Sequence, residues 1–191
     1  IYSIPAIAVT AGPAIAEWIR REVTNPLIIG PDEESAQWVD RIARLAGAPS
    51  AVLCKERKGD YDVSISAENL PELRDVTPVV IDDIASSART MMEAVHILRR
   101  KESTPPIAVV VHPIFAGEAY AKLQAAGAGR IVSTDTIVHP SNAISVSPYI
   151  ATALGKSGAV QTTRSQESSS GRPQARRKSS QQSKSRQSSK K

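Results

Sequence analysis

Cysteine is nearly absent: Cys54 is the only one among 191 residues. An intrachain disulfide is therefore impossible, which fits a reducing compartment and makes a cytoplasmic location the expectation. Long apolar runs are also missing. None approaches the roughly 20 residues that a helix needs to cross a bilayer, so no membrane partner is expected. No basic-then-apolar signal pattern opens the chain. It begins with Ile1 rather than methionine, and "IYSIPAIAV" reads as the interior of something. The expectation is that a natural start lies upstream.

The last stretch is poor in a different way. Lys156–Lys191 holds eleven Ser and six Gln but no aromatic residue, Leu, Ile or Met. Such a segment cannot bury enough apolar area to offset its ordering entropy, and it is expected to be a disordered tail. It carries ten Lys/Arg against one acid, a charge of +9. The first 155 residues hold 14 basic and 18 acidic residues, a charge of −4, so the net +5 belongs to the tail. A basic tail invites nucleic acid. Without aromatics for stacking, only nonspecific attraction is expected from it.

What remains, residues 1–155, reads as one domain. "PAIAEWIRREV" has helical spacing, with Trp18 at a core position. "NPLIIG" reads as a strand ending at Gly30. "DEESAQWVDRIARLAG" places Ala36, Val39, Ile42, Ala43 and Leu45 at helical spacing, with Trp38 on the core side and Gly47 as the stop. "SAVLCK" and "TPVVIDD" are further strands, and "TMMEAVHILRR" is a helix. "PIAVVVH" is a strand, "GEAYAKLQAAG" a helix, "RIVSTDT" a strand, and "AISVSP" a weaker one. Fully apolar strands alternating with helices predict an α/β fold, a mostly parallel sheet with helices on both faces.

Ligands of such sheets bind beyond the C-terminal strand ends. In "TPVVIDDIASSART", Asp82 and Asp83 stand there. The turn that follows leads into a helix whose first N–H groups are unpaired and carry partial positive charge. Ser86, Ser87 and Thr90 add hydroxyl donors. The turn would hold an anion, and the acids would face the hydroxyls or the metal attached to it. A sugar phosphate meets both demands. The competing reading is a plain capped helix with solvated acids.

"VVIDDIASSART" resembles the phosphoribosyl-pyrophosphate motif of type I phosphoribosyltransferases and ribose-phosphate pyrophosphokinases. Three more stretches favour the pyrophosphokinases. "PLIIGPDEES" is similar to their strand and P-D turn. "AVLCKERKGDYDV" resembles their flexible catalytic loop. "VVVHPIFAGEAYAKLQAAGAGRIVSTDTIVHP" is similar to the segment that opens with T-H-G-x-F. The likeness spans about residues 1–154 and keeps the family's order. It implies the C-terminal half of a two-halved enzyme, a type I phosphoribosyltransferase-like fold, and a homo-oligomer in the complete form. The adenine site and a metal-binding histidine would come from the other half.

The implied reaction transfers a diphosphoryl group from ATP to ribose 5-phosphate, with Mg²⁺. Lys55 and Arg57 fall on the catalytic K-x-R pair, with Arg57 also reaching substrate, and "ERKGDYD" would be a lid. Asp32 would bind Mg²⁺. Asp82 and Asp83 would take the ribose hydroxyls or its metal, and Ser86, Ser87, Ala88, Arg89 and Thr90 would cradle the 5-phosphate. Two departures stand out. Ser86 replaces a common acid. Arg89 replaces a common glycine, at a cost of about 1 kcal/mol if that backbone needs positive φ. His96 and His112 suggest ordinary structural roles, as does Cys54. His139, near the presumed active face, would contact product. A base-consuming phosphoribosyltransferase and a non-catalytic sugar-phosphate-binding regulator are the alternatives.

Overall fold

The structure, a computed structural model, describes residues 6–57, 63–66, 70–101 and 103–156; of 54–57 and 63–66 only the backbone belongs to the description. The chain divides after Val160, so all described residues lie in the first unit. The predicted disordered tail falls outside them, except that Lys156 is the last residue of a helix.

The chain runs α1 (Gly12–Glu22), β1 (Pro26–Gly30), a 3-10 turn (Glu33–Ser35), α2 (Ala36–Ala46) and β2 (Ser50–Val52). It continues with β3 (Cys54–Arg57), β4 (Val63–Ser66), β5 (Thr77–Ile84), α3 (Arg89–Arg100) and β6 (Ile107–His112). Last come α4 (Ala119–Ala125), β7 (Arg130–Thr134), β8 (Asn142–Ile144) and α5 (Ser147–Lys156). Six strands form one parallel sheet in the order β2-β1-β5-β6-β7-β8.

The continuous apolar runs are explained by burial on both faces. Ile28, Val79, Ile81 and Val109 point into a core shared with Ile15, Ile19, Val39 and Ile42 of α1 and α2. Their neighbours Leu27, Ile29, Val80, Ala108 and Val110 point the other way, against Met91, Val95 and Leu98 of α3 and Leu123 of α4. Each fully buried Ile or Leu side chain contributes on the order of 2 kcal/mol. The predicted α/β class, with helices on both faces, is the observed one.

Two expectations change. "SAVLCK" is not one strand. Leu53 is fully buried, and its N–H donates to the Gly30 carbonyl at 2.9 Å. β1 ends there, so residues beyond Leu53 have no ladder to continue, and β3 pairs instead with β4 in an antiparallel hairpin. The weak strand "AISVSP" shortens to β8, and Ser147–Lys156 forms α5, a helix without any buried residue. Its apolar residues follow no buried face, and so the sequence pattern concealed it. Among the described residues no helix is long and apolar enough to cross a membrane.

Candidate active site

The sheet order sets the site. From β1 the chain steps outward to β2, then crosses back to β5 and proceeds the other way to β6, β7 and β8. The direction of winding reverses between β1 and β5, and parallel sheets open a ligand crevice outside the carboxyl ends of such strands. The segments that follow β1, β2, β5 and β6 therefore share one edge.

After β1, Asp32 takes an extended conformation (φ −157°) and caps the 3-10 turn. Its carboxylate accepts from the Ser35 N–H at 3.1 Å, while the Ser35 hydroxyl donates to the Asp32 carbonyl. Gly30 makes this fold-back possible, because a Cβ there would collide with the Ser35 side chain.

At the end of β5, Asp82 is half-buried and Asp83 exposed. The Asp83 N–H donates to Asp82 Oδ1 at 2.9 Å. Burial pushes the Asp82 carboxyl up to about 6, opposed by that hydrogen bond and reinforced by the charges of Asp83 and Asp32. The Asp83 and Asp32 carboxylates thus both disfavour a charge on Asp82. The donor set, hard acidic oxygens, suits Mg²⁺ and would be relieved by it. Among the described residues no three acids, histidines or cysteines converge tightly enough to wrap an ion. These acids would share it with water and phosphate oxygens, the usual habit of Mg²⁺.

Past the acids, Ser86 and Ser87 are exposed, and Ala88 is buried in the left-handed region at φ 55°, ψ 21°. α3 starts at Arg89 with no side-chain cap and no acid in its first turn. Its leading N–H groups face the edge uncapped, which favours an anion. Thr90 is half-buried in that turn. The positive φ falls on Ala88 rather than on Arg89, so the strain expected at Arg89 sits one residue earlier.

The loop after β6 braces this turn. The Ala85 N–H donates to the His112 carbonyl at 3.2 Å, the Phe115 N–H to the Ala85 carbonyl at 2.8 Å, and the Ala116 N–H to the Ser86 carbonyl at 3.0 Å. Phe115 itself has φ 40° and a buried ring, 5.3 Å from Tyr120 and 4.9 Å from His139 between centroids. Neither Ala88 nor Phe115 stood out as structurally special in the sequence. The available signals were the lack of glycine at position 88 and the fact that Phe115 is the chain's only phenylalanine.

The histidines are held locally. His139 Nδ1 accepts from the Ser141 N–H at 3.2 Å and lies 2.7 Å from Ser141 Oγ. His112 Nδ1 lies 3.0 Å from Thr136 Oγ1, whose hydroxyl donates to the Val111 carbonyl at 2.8 Å. Lys55 and Arg57 stand on β3, opposite Ile65 and Val63 of β4. Their side chains, and most of the lid they would belong to, lie outside the described residues.

Comparison with known proteins follows the same lines. The model of the phosphoribosyl transferase domain matches residues 1–151. A ribose-phosphate pyrophosphokinase of Sulfurisphaera tokodaii is 34% identical over 146 residues, covering 73% of this chain and 49% of that protein. One of Methanosarcina acetivorans is 31% identical over 157 residues, covering 80% and 54%. The chain thus spans about half the length of these relatives. The crystal structure of phosphoribosylpyrophosphate synthetase from Mycobacterium smegmatis superposes with a TM-score of 0.64 at 19% identity, over 78% of this chain and 51% of that one, and shares the fold. The chain belongs to the phosphoribosyl transferase domain family, and both of the curated relatives above are ribose-phosphate pyrophosphokinases.

Proposed function

We propose that this chain is the ribose-phosphate half of a ribose-phosphate pyrophosphokinase, a cytoplasmic and oligomeric enzyme that makes phosphoribosyl pyrophosphate for nucleotide biosynthesis. One observation carries the reading. The reversal of winding between β1 and β5 gathers Asp32, the Asp82–Asp83 pair and the Ser86–Thr90 turn on one edge. An anion in the turn and a diol at the acids describe ribose 5-phosphate.

In this reading Ser86, Ser87, Ala88, Arg89 and Thr90 hold the 5-phosphate. Asp82 and Asp83 orient the ribose hydroxyls so that the anomeric oxygen faces the incoming diphosphoryl group. Asp32, with water, holds Mg²⁺, which neutralises phosphate charge when bound. Lys55 and Arg57, on the hairpin that leaves the same edge, balance the charge that spreads over the transferred group. The adenine pocket and the remaining metal ligand belong to the other half of a longer protein, which matches a chain spanning about half of its relatives.

Calorimetry on the 191 residues tests this. Ribose 5-phosphate is expected to bind weakly, Mg·ATP not to bind, and no phosphoribosyl pyrophosphate to form, because transfer needs both reactants within about 3.5 Å. A folded chain that ignores ribose 5-phosphate would sink the proposal. Tight ATP binding with AMP release would show a complete enzyme instead of a half.

A further inference from the structure

The turn after β5 is shaped by its neighbour, the loop after β6. The Phe115 N–H donates to the Ala85 carbonyl at 2.8 Å and the Ala116 N–H to the Ser86 carbonyl at 3.0 Å. Each of these carbonyls shares a planar peptide with the next residue's N–H, which a trans bond aims the opposite way. Tying the two carbonyls to the β6 loop therefore turns the Ser86 and Ser87 N–H groups away from that loop. Phe115 makes its bond from φ 40°, a region costly for a bulky side chain. Such a conformation persists only where its surroundings over-determine it. Here two rings surround it. Between centroids, Tyr120 of α4 stands 5.3 Å from the Phe115 ring and His139 stands 4.9 Å from it, and Tyr120 and His139 are 4.9 Å from each other.

His139 is itself anchored from behind. Asn142 Nδ2 donates to Ser133 Oγ at 2.9 Å, Ser133 Oγ lies 2.7 Å from Ser141 Oγ, and Ser141 Oγ lies 2.7 Å from His139 Nδ1. Both serines are buried. The Asn142 side chain also accepts from the His139 backbone N–H at 2.9 Å. A ring seated this firmly can serve as a wall for its neighbour. We infer that His139 is a positioning residue: its ring, fixed by the segment between β7 and β8, holds Phe115 in the left-handed conformation and so keeps the Ser86 and Ser87 N–H groups aimed outward for an anion. The inference rests on the reading of this turn as the 5-phosphate site. It differs from the direct contact with product that the sequence suggests for His139. A contact of that kind would act through a ring nitrogen, whereas positioning acts through the ring as a packed body.

Two substitutions separate the ring from its nitrogens. His139→Asn keeps a side-chain acceptor for the Ser141 N–H and removes the ring. His139→Phe keeps a ring and removes the acceptor. Tyr120→Leu takes a ring from Phe115 and leaves His139 and its hydrogen bonds in place, so it decides the question where a His139 variant does not fold. NMR on the 191-residue chain reads amide hydrogen exchange and weak ligand binding in the same sample. In His139→Asn and Tyr120→Leu, the Phe115 and Ala116 amides are expected to exchange about tenfold faster and ribose 5-phosphate to bind about tenfold more weakly, the scale of one lost aromatic pair. In His139→Phe both quantities should stay within about twofold of the parent chain. Losses in His139→Phe that equal those in His139→Asn overturn the inference, because a nitrogen and not the ring would then be at work. It is also overturned if His139→Asn and Tyr120→Leu both match the parent chain. The underlying reading fails by a different sign. A folded parent chain that binds no ribose 5-phosphate removes the phosphate site, and with it the positioning role, even where the exchange rates show the brace.

Discussion

Ala88 and Asp82 show the fold forcing a conformation on one residue and a charge state on another. Ala88 carries a Cβ at φ 55°, where L-residues other than Asn, Asp and His are uncommon and β-branched ones are outliers. Glycine there would shed the steric cost but lose backbone entropy of similar size. Ala88→Gly is therefore expected to move stability by less than about 1 kcal/mol, and Ala88→Val to cost about 2 kcal/mol or more. Urea denaturation of the two variants checks the contrast. Asp82 makes a prediction in pH. Its carboxyl rises from 3.8 to about 6 on folding, chiefly through burial, so the folded chain binds this proton more tightly than the unfolded one. That contribution to stability is complete below about pH 4 and is lost as pH rises through about 6. Two pKa units correspond to at most about 3 kcal/mol, reduced here because the group is partly exposed. Asp82→Asn should raise the melting temperature at pH 7.5, leave it nearly unchanged at pH 4, and abolish ribose 5-phosphate binding. An equal shift at both pH values would show that Asp82 is not strained by its charge.

At the scale of elements, the hairpin β3–β4 decides what Lys55 can do. It leaves the sheet where β1 ends and pairs only with itself within the ladder pattern. A hairpin outside the main sheet suits the lid proposed above. If Lys55 acts mainly on the charge of the transition state, Lys55→Ala in the longer enzyme should lower kcat and leave KM for ribose 5-phosphate nearly unchanged. Steady-state kinetics reads this directly, and an unaltered kcat removes Lys55 from the mechanism. The hairpin was hidden in the sequence because "SAVLCK" has the composition of a single strand. The break at Leu53 depends on the length of β1, which is a neighbour in space and not in sequence. Helix α5 escaped for another reason. Helical periodicity is visible only when one face is buried, and α5 buries no residue completely.

For the whole molecule, the sharp change in composition after Gly155 predicts independence of the tail. Ordering so polar a segment has no apolar burial to offset it. Deleting residues 157–191, which leaves α5 intact, should keep the melting temperature within a degree or two. A larger drop in calorimetry would mean that the tail docks on the domain. The domain ahead of it was legible in outline, because nearly every strand of the main sheet is a short apolar run and nearly every covering helix shows one apolar face. The turn after β5, proposed above to hold phosphate, was legible as a pattern, since two acids at a strand end followed by hydroxyls lie within one βα unit.

The sequence by itself determined the strands, most of the helices, the acid pair at Asp82–Asp83 and the hydroxyl-rich turn, because each depends on interactions between residues near one another along the chain. Tertiary structure alone decided that Asp32 would stand close enough to Asp82 to raise its proton affinity, that Phe115 and Ala116 would brace the turn, and that the left-handed residue would be Ala88. Those outcomes follow from strand order and from the docking of one βα unit against the next. A residue pattern does not encode such distances until the sheet brings β1, β5 and β6 side by side.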